Sequence, residues 1–489
     1  DDMRTDELQY MPNVQKLIGD EGVTFTNGFA SLPLCCPARA SVFTGQFPHN
    51  HGVWSQKPPF AFASMDDRET FPVWMHRAGY RNSYIGKYLN RFGRDPAPGR
   101  TKGNSLQYVP PGWDNFRPTL DGLTPNTKYW GGTHQYFNTT LGDNGHGFIS
   151  NRGTYQTIAY TRLEKQNLRR DLKQKKPFFH FVSFSAPHVG GPHEDDDPKD
   201  LGTPGRPRPV RGLFDDIITE PPGADWHDPD RSDKPHSMRS TLTDDDREQI
   251  LESARQRAES LYLVDRSVGR MISTLKKHHQ LANTTVVFTS DNGYFLGEQG
   301  KPQGKTLPYE PSLRVPVLMR GPGIPRGEIR TDPFLSVDFA PTFADIADGR
   351  RGHKGDGKSM LDVMRLGDET ADDSWSRRVP TETVPTKAVI QKVSRRDPIG
   401  ARPKQQLRGR VIGLRTHRYL YTEWAREPWD WEPGVDRELY DVLKDPEQYD
   451  NLAVDPKHKK LVAQFHKLVG RSHTCAGASC RVPLPENLR

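Results

Sequence analysis

The chain has 489 residues, too many for one small module and enough for a large α/β domain with a smaller companion. Hydrophobic residues make up 33% and charged residues 27%, and no apolar run approaches the ~18 residues of a membrane span, which excludes a coiled coil, a collagen and a membrane protein. The net charge of +7 is dispersed among 62 acidic residues instead of gathered in a Lys/Arg block, which favours an anionic small substrate over nucleic acid.

Apolar residues at Met11, Val14, Leu17 and Ile18 mark a helical face that ends near Gly19 and Gly22. Residues 23–28 read as a strand entering a turn, Phe71–Ala78 as a helix, and Tyr80–Ile85 as a second strand. Residues 93–155, rich in Pro, Gly, Asn and Asp, read as long surface loops. Phe178–Phe184 is a dense apolar run suited to a buried central strand, followed by Ser185-Ala186-Pro187-His188 and a polar excursion over 190–240. Leu261, Val264, Val268 and Leu275 share one face of a long helix, and Thr284–Ser290 reads as another buried strand running into Asp291-Asn292-Gly293. Residues 349–357 form a linker. Short strands follow from about residue 380, including Val411–Leu414 and Tyr419–Tyr421, and then a helix over His458–Val469. This alternation predicts an α/β fold: a large, mixed, mostly parallel sheet between helices over 1–365, then a smaller α+β domain with an antiparallel sheet over 366–489.

The four cysteines form two pairs. Cys475 and Cys480 flank Ala-Gly-Ala-Ser, flexible enough to close a short disulfide in an oxidising compartment; two free thiols near the C-terminus are the alternative. Cys35 and Cys36 are adjacent, so a disulfide between them would be strained, and the chain lacks the paired knuckles of a zinc site. Pro37 suits the first turn of a helix, which sets Cys35 just before a helix N-terminus and Arg39 one turn in, where free N–H groups favour an anion.

The segment from Cys35 to Gly45, with Cys-x-Pro-x-Arg and a following Thr44-Gly45, resembles the signature of the type I sulfatases, a formylglycine-dependent family of the alkaline-phosphatase superfamily. The resemblance implies that a formylglycine-generating enzyme oxidises Cys35, not Cys36, to 3-oxoalanine (formylglycine). The hydrate of that aldehyde would attack sulfur. The resemblance also implies Ca²⁺, or Mg²⁺ in some members, held by Asp1, Asp2, Asp291 and Asn292 beside the modified Cys35; carboxylate and amide oxygens suit a hard cation. Lys87 and Lys305 would hold sulfate oxygens, His188 would serve the leaving oxygen, and Arg39 would orient the nucleophile. Asn90 stands where many relatives have histidine, and would take the polar role in substrate binding.

The segments 48–53, 86–90, 112–114, 314–323, 338–346 and 439–446 look like the N-acetylglucosamine-6-sulfatase, extracellular endosulfatase and arylsulfatase branch. Asn90 after Leu89 is one departure and two more stand out: Tyr294-Phe295 and Gln299 stand in place of the usual Gly-Tyr-His and a later His, and the strand that should carry Asp1-Asp2 is missing. The expectation is an apolar, β-branched strand and a secretion signal before Asp1 in the natural protein, with strand edges flanking the gap in its absence. The implied activity is release of sulfate from carbohydrate or aryl esters by a secreted, periplasmic or lysosomal enzyme. The alternatives are a phosphodiesterase or phosphonate monoester hydrolase of the same superfamily, or a non-catalytic binder of sulfated glycans.

Overall fold

The computed structural model describes residues 1–123, 131–174, 176–223, 228, 230–235, 238–366, 376–383, 411–424 and 436–489. Two sheets form the centre of the α/β part. In the first, β1 (Val23–Phe29) pairs antiparallel with β8 (Arg314–Arg320) and parallel with β9 (Glu328–Leu335), and β7 (Val286–Thr289) pairs antiparallel with β8. In the second, β2 (Arg81–Gly86) lies parallel between β3 (Asn115–Pro118) and β6 (Phe178–Ser183). A hairpin of β4 (Thr140–Gly142) and β5 (Phe148–Ser150) lies within the stretch expected to be loop. A separate antiparallel sheet follows in the order β10 (Val379–Thr383), β11 (Val411–Arg415), β12 (Tyr419–Trp424) and β13 (Asp436–Asp441).

The helices that position the site are α1 (Cys35–Thr44), α2 (Phe71–Arg77), α3 (Gln156–Asp171), α4 (Asp244–Lys277), α5 (Phe339–Ile346) and α6 (Lys459–Ser472). The α4 helix begins with a Thr243/Asp246 capping box, which satisfies two N-terminal donors, and buries Leu261, Val264, Val268 and Leu275 as their spacing predicts. Gly45 ends α1 in the left-handed conformation, at φ 68°.

Beneath α1 lies an aromatic core. Phe43 stands 5.2 Å from Tyr88 and 5.8 Å from Phe71 and Phe181, and Tyr84 stands 5.1 Å from Trp113. The Gly112-Trp113-Asp114 segment is accounted for by this packing. A Cβ on Gly112 would lie 2.5 Å from the Pro72 carbonyl carbon, while Asp114 Oδ2 accepts from Asn82 N–H at 2.8 Å.

The strands expected to be buried depart from that reading in one respect. In β2 every residue after Arg81 is buried, but in β6 only Ser183 is, and all of β7 is half-buried. The cause is topological. Among the described strands, β6 ends the second sheet and β7 ends the first, and a cavity of about 940 Å³ lies against both. Phe179, Phe181, Val286, Phe288, Val264 and Phe343 are among its lining residues. An apolar slot thus lies between these two strand edges.

Candidate active site

The site sits where β6, β7 and α1 end or begin. Cys35 is the first residue of α1, not the one before it, with Leu34 as N-cap in extended conformation. Pro37 is therefore third in the helix; the first turn has no intrahelical acceptors for its N–H groups, so it tolerates proline at more than one position. The Cys35 thiol donates to Asp1 Oδ1 at 3.4 Å and accepts from Lys305 Nζ at 2.9 Å and Lys87 Nζ at 3.4 Å. Cys36 points the other way, into the core, and burial pushes its thiol up to about 12. Only Cys35 is presented to the site.

Arg39, one turn along, donates from Nε to Asp291 Oδ2 at 2.8 Å and from NH1 to the Lys87 carbonyl and Ser183 Oγ, both at 2.6 Å. One guanidinium thus ties α1 to the ends of β2, β6 and β7. Lys87 is ion-paired with Asp1, and Lys305 with Asp2.

The carboxylate side is joined to the strand ends by side chains. Asp2 N–H donates to Asp291 Oδ1 at 3.1 Å, and Met3 N–H to Ser290 Oγ at 3.0 Å. From α4, Arg257 donates to the Asp2 carbonyl at 2.6 Å and pairs with Glu7 at 2.6 Å. Asp2 has φ 62°, a left-handed backbone uncommon outside glycine, held by these contacts.

Asp1, Asp2 and Asp291 thus face Lys87, Lys305 and Arg39 around one sulfur. Burial opposes ionisation of Asp2, but Lys305 and then His188 outweigh it and hold its carboxyl well below the usual range. Asp291 is likewise lowered: burial opposes its charge, but Arg39, the terminal amine, Lys305 and Lys87 together outweigh it. For Lys305 burial is outweighed by Asp2, Cys35 and Asp291 together and the ammonium is stabilised; for Lys87 burial wins and its pKa falls.

These residues fit a hard divalent cation. Asn292 Nδ2 donates to Asp2 Oδ1 at 2.8 Å while Asn292 Oδ1 is buried with no hydrogen-bond partner among the described residues. Three carboxylates and an unsatisfied amide oxygen form the oxygen donor set that calcium or magnesium takes. The charge logic agrees: three carboxylates against three cations leave the site near neutral, and a divalent ion would make it attractive to an anion.

His188 follows β6. Its Nδ1 donates to the Val189 carbonyl at 2.7 Å, so Nε2 is the nitrogen left for the site, 3.6 Å from Asp2 Oδ2. Burial and then Lys87 lower its pKa well below 6.5. Asn90 lies beside the adjacent cysteine pair. Its backbone N–H reaches the Cys36 thiol, and Oδ1 is buried without a partner among the described residues.

Two neighbours of the site escaped the sequence reading. Gln56 donates from Nε2 to Cys35 Sγ at 3.6 Å, and His134 stacks on His188. Both lie in polar loop sequence, where one Gln or His among many carries no periodic signal.

A family profile described as sulfatase matches residues 2–349. The chain belongs to the sulfatase family. These enzymes hydrolyse sulfuric esters, and every residue of the constellation around Cys35 except Asp1 lies within the matched region. An extracellular sulfatase SULF-1 homolog of Drosophila melanogaster is 31% identical over 389 residues, spanning 76% of this chain and 31% of that protein. The chain therefore spans about a third of that relative's length. N-acetylglucosamine-6-sulfatase of Homo sapiens is 29% identical over 497 residues, spanning 97% of this chain and 82% of that protein. A protein solved in complex with its substrate D-glucosamine-2-N,6-O-disulfate matches with a TM-score of 0.69 and 21% identity over 96% of this chain and 95% of that one, a likeness of fold. The architecture is the mixed α/β, alkaline-phosphatase-like one with a C-terminal antiparallel sheet.

Proposed function

We propose that this sulfatase releases inorganic sulfate from sulfated carbohydrates, with N-acetylglucosamine 6-sulfate as the favoured class and aryl sulfates as artificial substrates. The observation that carries the reading is the convergence of Lys87 and Lys305 on Cys35 Sγ at 3.4 and 2.9 Å, opposite Asp1 and Asp2. The similarity to N-acetylglucosamine-6-sulfatases over 97% of the chain supports the substrate class.

Asp1, Asp2, Asp291 and Asn292 would hold Ca²⁺ or Mg²⁺, which supplies charge neutralisation and polarises a bound sulfate oxygen. Cys35 converted to formylglycine would supply, as its hydrate, an oxygen nucleophile where the thiol now stands. The chain's other residues do the rest. Lys87 and Lys305 bind the non-bridging sulfate oxygens and stabilise charge that grows as the S–O bond breaks. Arg39 fixes the first turn of α1 against Asp291. His188 turns Nε2 toward the leaving oxygen, with Nδ1–H engaged by Val189, and would donate a proton from Nε2 in its imidazolium form.

The Cys475–Cys480 disulfide supports a place outside the reducing cytosol, such as a secreted or lysosomal setting. Among the described residues no helix is long and apolar enough to cross a membrane. The test is co-expression with a formylglycine-generating enzyme, mass analysis of the Cys35 peptide, and a sulfate-release screen over sulfated sugars. The expected result is a peptide lighter than the cysteine form and release from 6-sulfated N-acetylglucosamine. A converted enzyme inactive on every sulfate ester would overturn the reading.

A further inference from the structure

The loop before β4 carries no signature, yet it sets a second imidazole against His188. The His134 and His188 rings stack with centroids 4.2 Å apart and planes inclined by 23°. The pair is braced from both sides. Gly191 N–H donates to the His134 carbonyl at 2.9 Å, and the Tyr136 hydroxyl donates to the His188 carbonyl at 2.6 Å. Gln156 Nε2 and Ser185 Oγ donate to the Thr133 carbonyl at 2.8 and 3.4 Å. Gly190 permits the approach, since a Cβ there would lie 2.5 Å from the His134 carbonyl oxygen.

His134 is half-buried, and its Nδ1 is buried with no hydrogen-bond partner among the described residues. Such an atom is uncommon in a folded protein, and at a binding site it marks where a ligand can supply what the protein does not. After burial itself, Lys87 and Lys305 are the groups that most lower the His134 pKa, to about 3, so the ring is neutral. A neutral imidazole offers one N–H and one lone pair. That combination suits a hydroxyl better than a second anion. Stacked on the histidine that faces the leaving oxygen, it belongs to the alcohol half of the ester.

We propose that His134 is a specificity-determining residue that hydrogen-bonds the alcohol half of the substrate and selects hydroxyl-rich alcohols, such as sugars, over aryl groups. This rests on the sulfatase reading above. The discriminating variants are His134→Phe, which keeps a ring against His188 but no nitrogen, and His134→Asn, which keeps a donor and an acceptor. Both are compared with the unsubstituted enzyme, after conversion of Cys35, on N-acetylglucosamine 6-sulfate and 4-nitrophenyl sulfate.

The expected result is a fall of about 10- to 100-fold in the sugar-to-aryl ratio of kcat/KM for His134→Phe, with partial recovery in His134→Asn. A loss shared equally by the two esters assigns His134 to support of His188 and overturns the inference, as does an unchanged ratio in His134→Phe. Equal ratios in the two variants overturn it as well. If the unsubstituted enzyme acts on no sulfate ester of the wider screen, the proposed function falls and this inference with it; if it acts on the sugar and the ratio does not move, only this inference falls.

Discussion

The two halves of the site are built differently. Cys35, Arg39 and Lys87 stand on α1 and at the end of β2, a strand paired on both sides and buried after Arg81. Asp1, Asp2 and Asp291 stand at the mouth of the slot between β6 and β7, with the chain start joined to the end of β7 by the Ser290 and Asp291 side chains and to α4 by Arg257. The Cys35 half is held by continuous sheet and aromatic packing. The carboxylate half is held by charge and hydrogen bonds, which cost more to bury and depend on every partner being present. Loss of one group should therefore propagate further on the carboxylate side.

The largest effect that would break this comparison is at Cys35. Cys35→Ala should reduce sulfate release by about 10⁴- to 10⁶-fold. Cys36→Ala should retain most activity, at a stability cost of about 1–2 kcal/mol from a small cavity. Comparable turnover by the two variants would remove Cys35 from its role.

Next is Asp291→Asn, which removes a ligand charge and leaves the buried Arg39 without its closest carboxylate. Calcium affinity measured by titration calorimetry should fall by about 100-fold, and the melting temperature should fall too, since a buried charge has lost its partner. Unchanged calcium affinity would rule Asp291 out as a ligand.

A smaller effect should follow from filling the slot. A six-residue strand spans about 20 Å, the length of β6. Fusing an apolar, β-branched hexapeptide to Asp1 should raise the melting temperature and calcium affinity together, because it can pair with the free edges of β6 and β7. A Gly/Ser hexapeptide of equal length is the control. Equal values for the two fusions would mean that the open edges do not limit the carboxylate half.

The smallest effect concerns the other end of α1. His49 Nδ1 lies 2.7 Å and His473 Nδ1 2.5 Å from Glu382 Oε1, joining the stretch after α1 to β10 and the end of α6. Burial opposes the charged forms, but Glu382 raises the pKa of His49 above 6.5, and His49 foremost draws Glu382 well below 4.5. A raised histidine contributes stability that is complete below pH 6.5 and lost as pH climbs through its folded value. A lowered carboxylate contributes stability that is present above pH 4.5 and lost as pH falls through its folded value. The latch should thus be strongest between pH 4.5 and 6.5. His49→Gln should flatten the fall in melting temperature above that window. An unaltered pH profile would show that His49 is not the titrating group.

Much of this was legible in the chain. The period of Leu261, Val264 and Val268 placed α4, and the apolar run after Pro177 placed β6. Pro37 placed a helix start beside Cys35, one residue later than the fold puts it. His51 shows the limit of such reading. In the sequence it is one of two histidines flanking Asn50. In the fold its Nδ1 accepts from Val53 N–H at 3.0 Å, Nε2 donates to Ser41, and burial lowers it to about 3, so its work is to brace α1.

By itself the sequence determined the kind of chemistry: hard oxygen ligands, two lysines, a histidine and a helix-borne cysteine, each in a short segment whose local geometry is encoded by its neighbours. Tertiary structure alone decided which of these groups touch. The contact between Lys305 and Cys35 spans 270 residues and that between Asp2 and Asp291 spans 289, distances over which no local pattern carries information. Two further decisions came from packing: which strand edges stay open, and which loop histidine stacks on His188. Both are set by the order of strands and the closing of loops, not by any residue's own preference.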